Sequence, residues 1–144
     1  MNPTLRNVFA IVAGAVIGGL VNSGLINIGP SIIPSPEGMN PADMESIKEY
    51  MPQMEFRHFI FPFLAHALGT LIGAFTAAKL GASQHQRLGL FIGFFFLIGG
   101  IIAVNMLPSP LWFNIVDLLG AYLPMAFLGS KLAMGGKESS TTLY

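Results

Sequence analysis

The sequence predicts an all-α integral membrane protein, a four-helix bundle. Of its 144 residues, 53 % are hydrophobic and only 10 % charged, where soluble domains carry roughly 25 % charged residues. Four apolar stretches, at about 8–28, 59–80, 88–107 and 111–134, reach the ~20 residues that cross a ~30 Å hydrocarbon core. Spans of this length are helical, because lipid offers backbone N–H and C=O groups no partner. Residues 1–134 form a single transmembrane domain, and residues 135–144 read as a disordered cytoplasmic tail.

The first span follows Arg6 and ends in small residues, Ser23 and Gly24, as a signal peptide would. Its apolar run exceeds the usual 7–15 residues, so we read it as an uncleaved anchor. Segment 29–58 opens with the turn formers Pro30, Pro34, Pro36 and Gly38. Asn40-Pro41-Ala42-Asp43 then reads as a helix start, with Asn40 capping and Pro41 at the first helical position. Met44, Ile47, Met51 and Met54 share one helical face after that start, which predicts a short amphipathic helix on the membrane surface ending near Pro52. Between spans three and four, Pro108-Ser109-Pro110 leaves room only for a tight hairpin. Phe56, Phe59, Phe61 and Trp112 are placed at the interface, where aromatic rings prefer to lie.

Two further patterns concern the whole chain. Ala74-Phe75 and Lys79-Leu80 recur as Ala126-Phe127 and Lys131-Leu132, an offset of 52 residues, and Ile-Gly-Gly occurs at Ile17 and again at Ile98. These matches fit a parallel two-plus-two repeat about an axis normal to the membrane. Arg6, Lys79, Arg87, Lys131 and Lys137 fall on one side of the bundle, and only Lys48 and Arg57 on the other. The bias puts both termini in the cytoplasm and segment 29–58 outside.

Composition narrows the chemistry. A net charge of zero and the lack of a basic cluster exclude nucleic acid as a partner. Without cysteine there is no disulfide, thiolate nucleophile or zinc–thiolate site. The sequence points to no cofactor. The expected partners are the lipid bilayer and either further copies of the chain or another membrane protein.

Small residues at every fourth position let helices approach closely. Gly14 and Gly18 in the first span, and Ala65, Gly69, Gly73 and Ala77 in the second, form such packing seams. Polar residues sit beside them. His66 shares a face with Thr70, Asp117 with Gly120 and Ala121, and Asn22 with Gly18, so each turns toward other helices. At 1.5 Å per residue, Asn22, His66 and Asp117 all lie roughly 9–12 Å below the outer ends of their spans. Tyr122, about a turn and a half deeper than Asp117, extends this layer toward the midplane.

Asp117 is the sole acidic residue within the spans, and an ionisable group there costs ~2.5–3.5 kcal/mol on insertion scales. Three readings are open: a buried Asp117–His66 hydrogen bond that fixes helix register, a proton or cation site lined by the pair, or a metal site of His58, His66 and Asp117. Thioethers suit Cu(I), but the ordinary apolar face of an interfacial helix accounts for most of the pattern of Met39, Met44, Met51 and Met54.

The motifs His66-Ala67-Leu68-Gly69-Thr70, Pro108-Ser109-Pro110-Leu111-Trp112-Phe113 and Asp117 through Pro124 resemble a group of small, uncharacterised bacterial proteins with four membrane spans. The resemblance covers nearly the whole chain and implies a bacterial inner-membrane location, without assigning a substrate. Taken together, these features lead us to expect a proton or small-cation channel or transporter acting through Asn22, His66, Thr70, Asp117 and Tyr122. The alternative is a non-catalytic accessory or assembly subunit that binds another membrane protein through its glycine seams. No nucleophile, phosphate loop or metal-ligand spacing accompanies the polar pair, so an enzyme is not expected.

Overall fold

The structure, a computed structural model, describes residues 1–138. Its helices are α1 (Pro3–Ile32), α2 (Met44–Tyr50), α3 (Ile60–Leu80), α4 (His85–Met106), α5 (Leu111–Gly120) and α6 (Leu123–Glu138). Four segments are long and apolar enough to cross a membrane: Pro3–Ile32, Phe56–Leu80, His85–Met106 and Leu111–Gly135. The chain is therefore a helical, four-span membrane protein. At 30 residues, α1 is ~45 Å long and overshoots a ~30 Å core. α6 continues to Glu138, so the first residues of the tail expected to be disordered are helical; residues 139–144 lie outside the described part.

α3 is the central helix, packed against α1, α4 and α6. Its buried positions are all Ala, Gly or Thr, which lets three neighbours come close at once. A Cβ on Gly14 would lie 2.6 Å from the Gly73 carbonyl oxygen, and one on Gly18 would lie 2.6 Å from that of Gly69. Ala10, Ala65 and Ala77 are fully buried along the same seam. In lipid, where apolar burial drives little, this contact density and its dispersion energy hold helices together. A second seam joins α4 to α6, where Gly89 meets Ser130 and Gly93 meets Ala126.

Arg6 donates from Nε to the Leu80 carbonyl at 2.8 Å, and Asn7 Oδ1 accepts from the Ala82 amide at 2.8 Å. These bonds satisfy backbone groups that the end of α3 leaves open, and they tie the start of α1 to the basic end of the bundle. Toward that end the interior is filled by Ala74, Ala77, Leu88, Ile92 and Ala126.

The opposite end carries a folded cap. Its helix begins later than expected, at Met44 rather than Pro41. Asp43 is the cap residue, accepting from the Glu45 amide at 3.2 Å, while Asn40 closes the preceding turn by accepting from the Ala42 amide at 3.0 Å. Both side chains suit capping; Asp43 also places its charge at the positive end of the helix dipole. Ile47, Met51 and Met54 turn inward onto Phe59 and Phe113, so the apolar face of the cap covers the bundle as a roof, and Met44 stays exposed. Trp112 stacks on Phe56 at 5.3 Å and meets Phe59 edge-on at 5.4 Å. Phe59 is buried within this cluster rather than at the interface.

The fourth span is interrupted at Ala121–Tyr122, between α5 and α6. Pro124 cannot donate to the Gly120 carbonyl, and its ring crowds that oxygen. The second span has no such interruption, so the two halves are built differently at this depth.

Candidate functional site

The break in the fourth span assembles the polar cluster. Asp117, in the last turns of α5, accepts at Oδ2 from the Tyr122 hydroxyl at 3.1 Å. In a continuous helix, residues five apart point ~140° away from each other, so this bond depends on the interruption. Across the bundle, His66 on α3 places Nδ1 2.8 Å from Asp117 Oδ1. The His66 and Tyr122 rings stack with centroids 5.7 Å apart. Asp117 is 3 % exposed and Tyr122 2 %.

Gly100 on α4 makes room for this arrangement, since a Cβ there would stand 2.5 Å from the Tyr122 hydroxyl. Sequence reasoning did not single Gly100 out. The available signal was its seven-residue spacing from Gly93, which puts both glycines on one face of α4.

With Asp117 ionised, both carboxylate oxygens are engaged, one by an N–H and one by an O–H. That arrangement fixes the neutral imidazole as the Nδ1–H tautomer, an assignment made from the hydrogen-bond network. Nε2 then carries a lone pair and makes no hydrogen bond among the described residues. The His66 side chain, 24 % exposed, turns toward two cavities.

The first cavity, of about 260 Å³, lies beneath the cap. Ile33, Met51, Met54, Phe61 and Val104 contribute to its largely apolar wall, and His66 and Asp117 lie at its floor. The second, of about 420 Å³, is lined by Asn22, His66, Thr70 and Tyr122. It opens sideways between α1 and α4, where Phe95, Ile98 and Ile102 are exposed. His66, Gly100 and Ala103 border both cavities.

The expected polar residues fall into two groups that His66 connects. His66, Asp117 and Tyr122 are bonded together. Asn22 and Thr70 share a cavity with His66 and bond to none of the three. Thr70 Oγ1 is buried without a hydrogen-bond partner among the described residues. Tyr122 shares the Asp117 carboxylate and also lines the second cavity.

The metal reading fares differently. His58, His66 and Asp117 do not converge, and among the described residues no group of three such side chains is arranged to hold a metal. His58 Nδ1 accepts from the Glu55 amide at 2.8 Å, and Nε2 donates to the Pro34 carbonyl at 3.1 Å. Both ring nitrogens are spent on holding the cap together. Met39, Met51 and Met54 line the cavity beneath the cap, and Met51 is packed with Phe59 and Phe113.

Compared with known protein families, curated proteins and solved structures, the chain matches none.

The Tyr122 hydroxyl gives a direct test of the cluster. Tyr122→Phe is expected to keep the fold and lose ~0.6–1.7 kcal/mol, from the average to the largest coupling found by double-mutant cycles for hydrogen bonds between membrane helices. Equilibrium unfolding in mixed micelles reads this, and Gly100→Ala should cost a similar amount by displacing the hydroxyl. Unchanged stability in both variants would show that the bond does not form.

Proposed function

We propose that this protein translocates protons, or a small monovalent cation, through the His66–Asp117–Tyr122 cluster. The observation that supports the reading is the carboxylate-held imidazole of His66, which lines both cavities and whose Nε2 makes no hydrogen bond among the described residues. A lone carboxylate at this depth is costly. When His66 takes a proton, the imidazolium and Asp117 form a neutral pair, so the low dielectric that disfavours the empty state favours the loaded one. A small cation seated against the pair would bring the same relief. The half of the bundle toward the basic end is closed by Ile92, Ala126 and their neighbours. Release on that side therefore needs a second conformation, as in alternating access, rather than a standing pore.

In the same proposal the cap faces outward from a bacterial inner membrane and the termini are cytoplasmic. The five-to-two distribution of basic residues supports that orientation, and the resemblance to small bacterial four-span proteins supports the location. The proposed role is not enzymatic.

Proton flux into liposomes carrying a pH-sensitive dye tests the reading. Wild type is expected to run well above protein-free vesicles, and His66→Ala to fall at least tenfold, because no other imidazole reaches Asp117. If wild type equals protein-free vesicles for protons, sodium and potassium, the proposal fails.

A second reading, an accessory subunit, is favoured by one observation. Gly19, Gly24 and Gly99 have open space where a Cβ would lie, so α1 and α4 present close-approach faces that no helix of this chain covers. Native mass spectrometry from lipid that returns only a monomer would exclude both a stable oligomer and a stably bound partner.

A further inference from the structure

We infer that the cavity beneath the cap binds a small lipophilic ammonium ion, with its apolar body under the roof and its charged head against His66 and Asp117. The inference rests on reading that pair as the cation-accepting site and names the substrate class it serves.

The cavity's shape and lining come first. At about 260 Å³ it is slightly smaller than the ~300–1,000 Å³ of drug-sized sites, enough for one aromatic ring or a short alkyl chain. Its wall is built mainly from aliphatic, thioether and aromatic side chains; of the polar residues that border it, His58 is bonded to the Pro34 carbonyl and Ser109 to Asn114, and Asp117, paired with His66, is its one carboxylate. A bare metal ion or hydrated alkali cation would leave most of this wall unused. The ligand that fits has an apolar body and a single polar head.

Charge decides which head. No Lys or Arg lines either cavity, so an anion would find no counter-charge. The head would meet His66, whose Nε2 makes no hydrogen bond among the described residues, beside the Asp117 carboxyl group, and both offer acceptors to N–H donors. Phe59, Phe61 and Phe113 add ring faces along the way, each able to attract a cation. Segment 29–58 carries five acidic residues against Lys48 and Arg57. Both of these cations are already paired, Lys48 with Glu45 at 2.9 Å and Arg57 with Glu55 at 3.0 Å. Among the described residues Glu37, Asp43 and Glu49 make no ion pair, and their field raises the local concentration of cations around the roof.

The second cavity supplies a route suited to an amphiphile. Its opening between α1 and α4 faces the lipid and meets the first cavity at His66, Gly100 and Ala103. A lipophilic amine partitions into the membrane and reaches the pair from the side, and its ammonium head seats there only when His66 is neutral, since imidazolium and ammonium repel at contact distance. Loading with amine and loading with proton are therefore mutually exclusive, the requirement for exchange of one against the other.

The test uses three ligands of one shape: 2-phenylethylammonium, the neutral 2-phenylethanol, and the anion phenylacetate. Calorimetry on the full-length protein in nanodiscs gives affinities, with protein-free discs correcting for partitioning. Trp112, the only tryptophan, touches Phe59 and Phe113 at the cavity wall and reports occupancy by fluorescence. The ammonium is expected to bind at least tenfold tighter than the alcohol, and the anion not to bind. Asp117→Asn should remove that preference, and Ala103→Leu, which adds bulk where the cavities meet without touching a charge, should weaken ammonium binding at least tenfold. Equal binding of ammonium and alcohol, or none of either, overturns the inference. Proton flux measured on the same protein separates the two claims. Flux without ammonium binding removes the ligand and leaves the ion reading; ammonium binding without flux removes the ion reading and leaves a receptor site.

Discussion

Asp117→Asn is expected to cut proton flux at least a hundredfold while leaving the folded bundle nearly as stable as wild type. The two halves of this expectation come from the same hydrogen bonds. Asparagine has the shape of aspartate and keeps one acceptor oxygen, so it still receives the Tyr122 hydroxyl that now lies 3.1 Å from Oδ2. Its amide nitrogen replaces the acceptor that lies 2.8 Å from His66 Nδ1, and a donor now faces a donor. The imidazole resolves the conflict by moving its proton to Nε2 and accepting at Nδ1. Loss of one charge-assisted bond, about 1.5–3 kcal/mol, is offset by removal of a buried charge that costs ~2.5–3.5 kcal/mol to insert. Chemically, however, Nε2 has become a donor and no longer accepts a proton. A comparable tautomer error beside the catalytic histidine of serine proteases costs about 10⁴ in rate. Paired flux and unfolding measurements check both halves. Wild-type flux from Asp117→Asn would mean that the pair serves only to hold the helices in register.

Much of this architecture was legible in the sequence, because the properties involved are local or periodic. Span positions follow from run length and hydropathy, and the α1–α3 seam follows from small residues one turn apart. The common depth of Asn22, His66 and Asp117 is an expectation from counting residues; in the structure Asn22 and His66 line one cavity and His66 and Asp117 the other. The features that escaped depend on departures from regular geometry. Treated as one continuous helix, the fourth span puts Tyr122 on a different face from Asp117. Pro124 carried the signal for a break, but not the direction in which the chain would bend or the bond that the bend would form. Likewise Asn40 and Asp43 are both acceptable caps, and their choice was settled by the fold of the turn, in which the Asn40 amide binds Ser46 Oγ at 2.9 Å. The cavity beneath the roof is not a property of any one segment. It is the space left where the cap, α1, α3, α4 and α5 fail to meet, and only the assembled structure displays it.

Gly18→Val is expected to be the most damaging of the conservative substitutions along the bundle, costing ~3 kcal/mol or more, whereas Gly19→Ala one position away should cost nothing. The added Cβ at Gly18 would lie 2.6 Å from the Gly69 carbonyl oxygen, 2.8 Å from a Phe96 ring carbon and 3.1 Å from the Gly73 Cα. Two of these neighbours are backbone of the central helix and cannot swing aside, so α1 must retreat. Overpacking costs typically ~1–3 kcal/mol in soluble cores, and two branches beyond the Cβ put valine at or above the top of that range. Retreat also forfeits the dispersion contacts of Gly14 with Gly73 and Ala77 one turn away, and Gly14→Val should therefore couple to Gly18→Val rather than add to it. At Gly19 no atom lies within 4 Å of an added Cβ, and alanine is the better helix former. Steric-trapping or micelle unfolding distinguishes the two. The functional consequence runs through the wall that α1 forms, because Gly19 and Asn22 border the lateral cavity. A bundle whose α1 has moved off α3 keeps the His66–Asp117 bond, made between α3 and α5, but opens that cavity to lipid. Such a variant should retain the histidine–carboxylate pair by spectroscopy and lose discrimination among ligands. Equal tolerance of Gly18→Val and Gly19→Ala would mean that α1 does not pack on α3 through this seam.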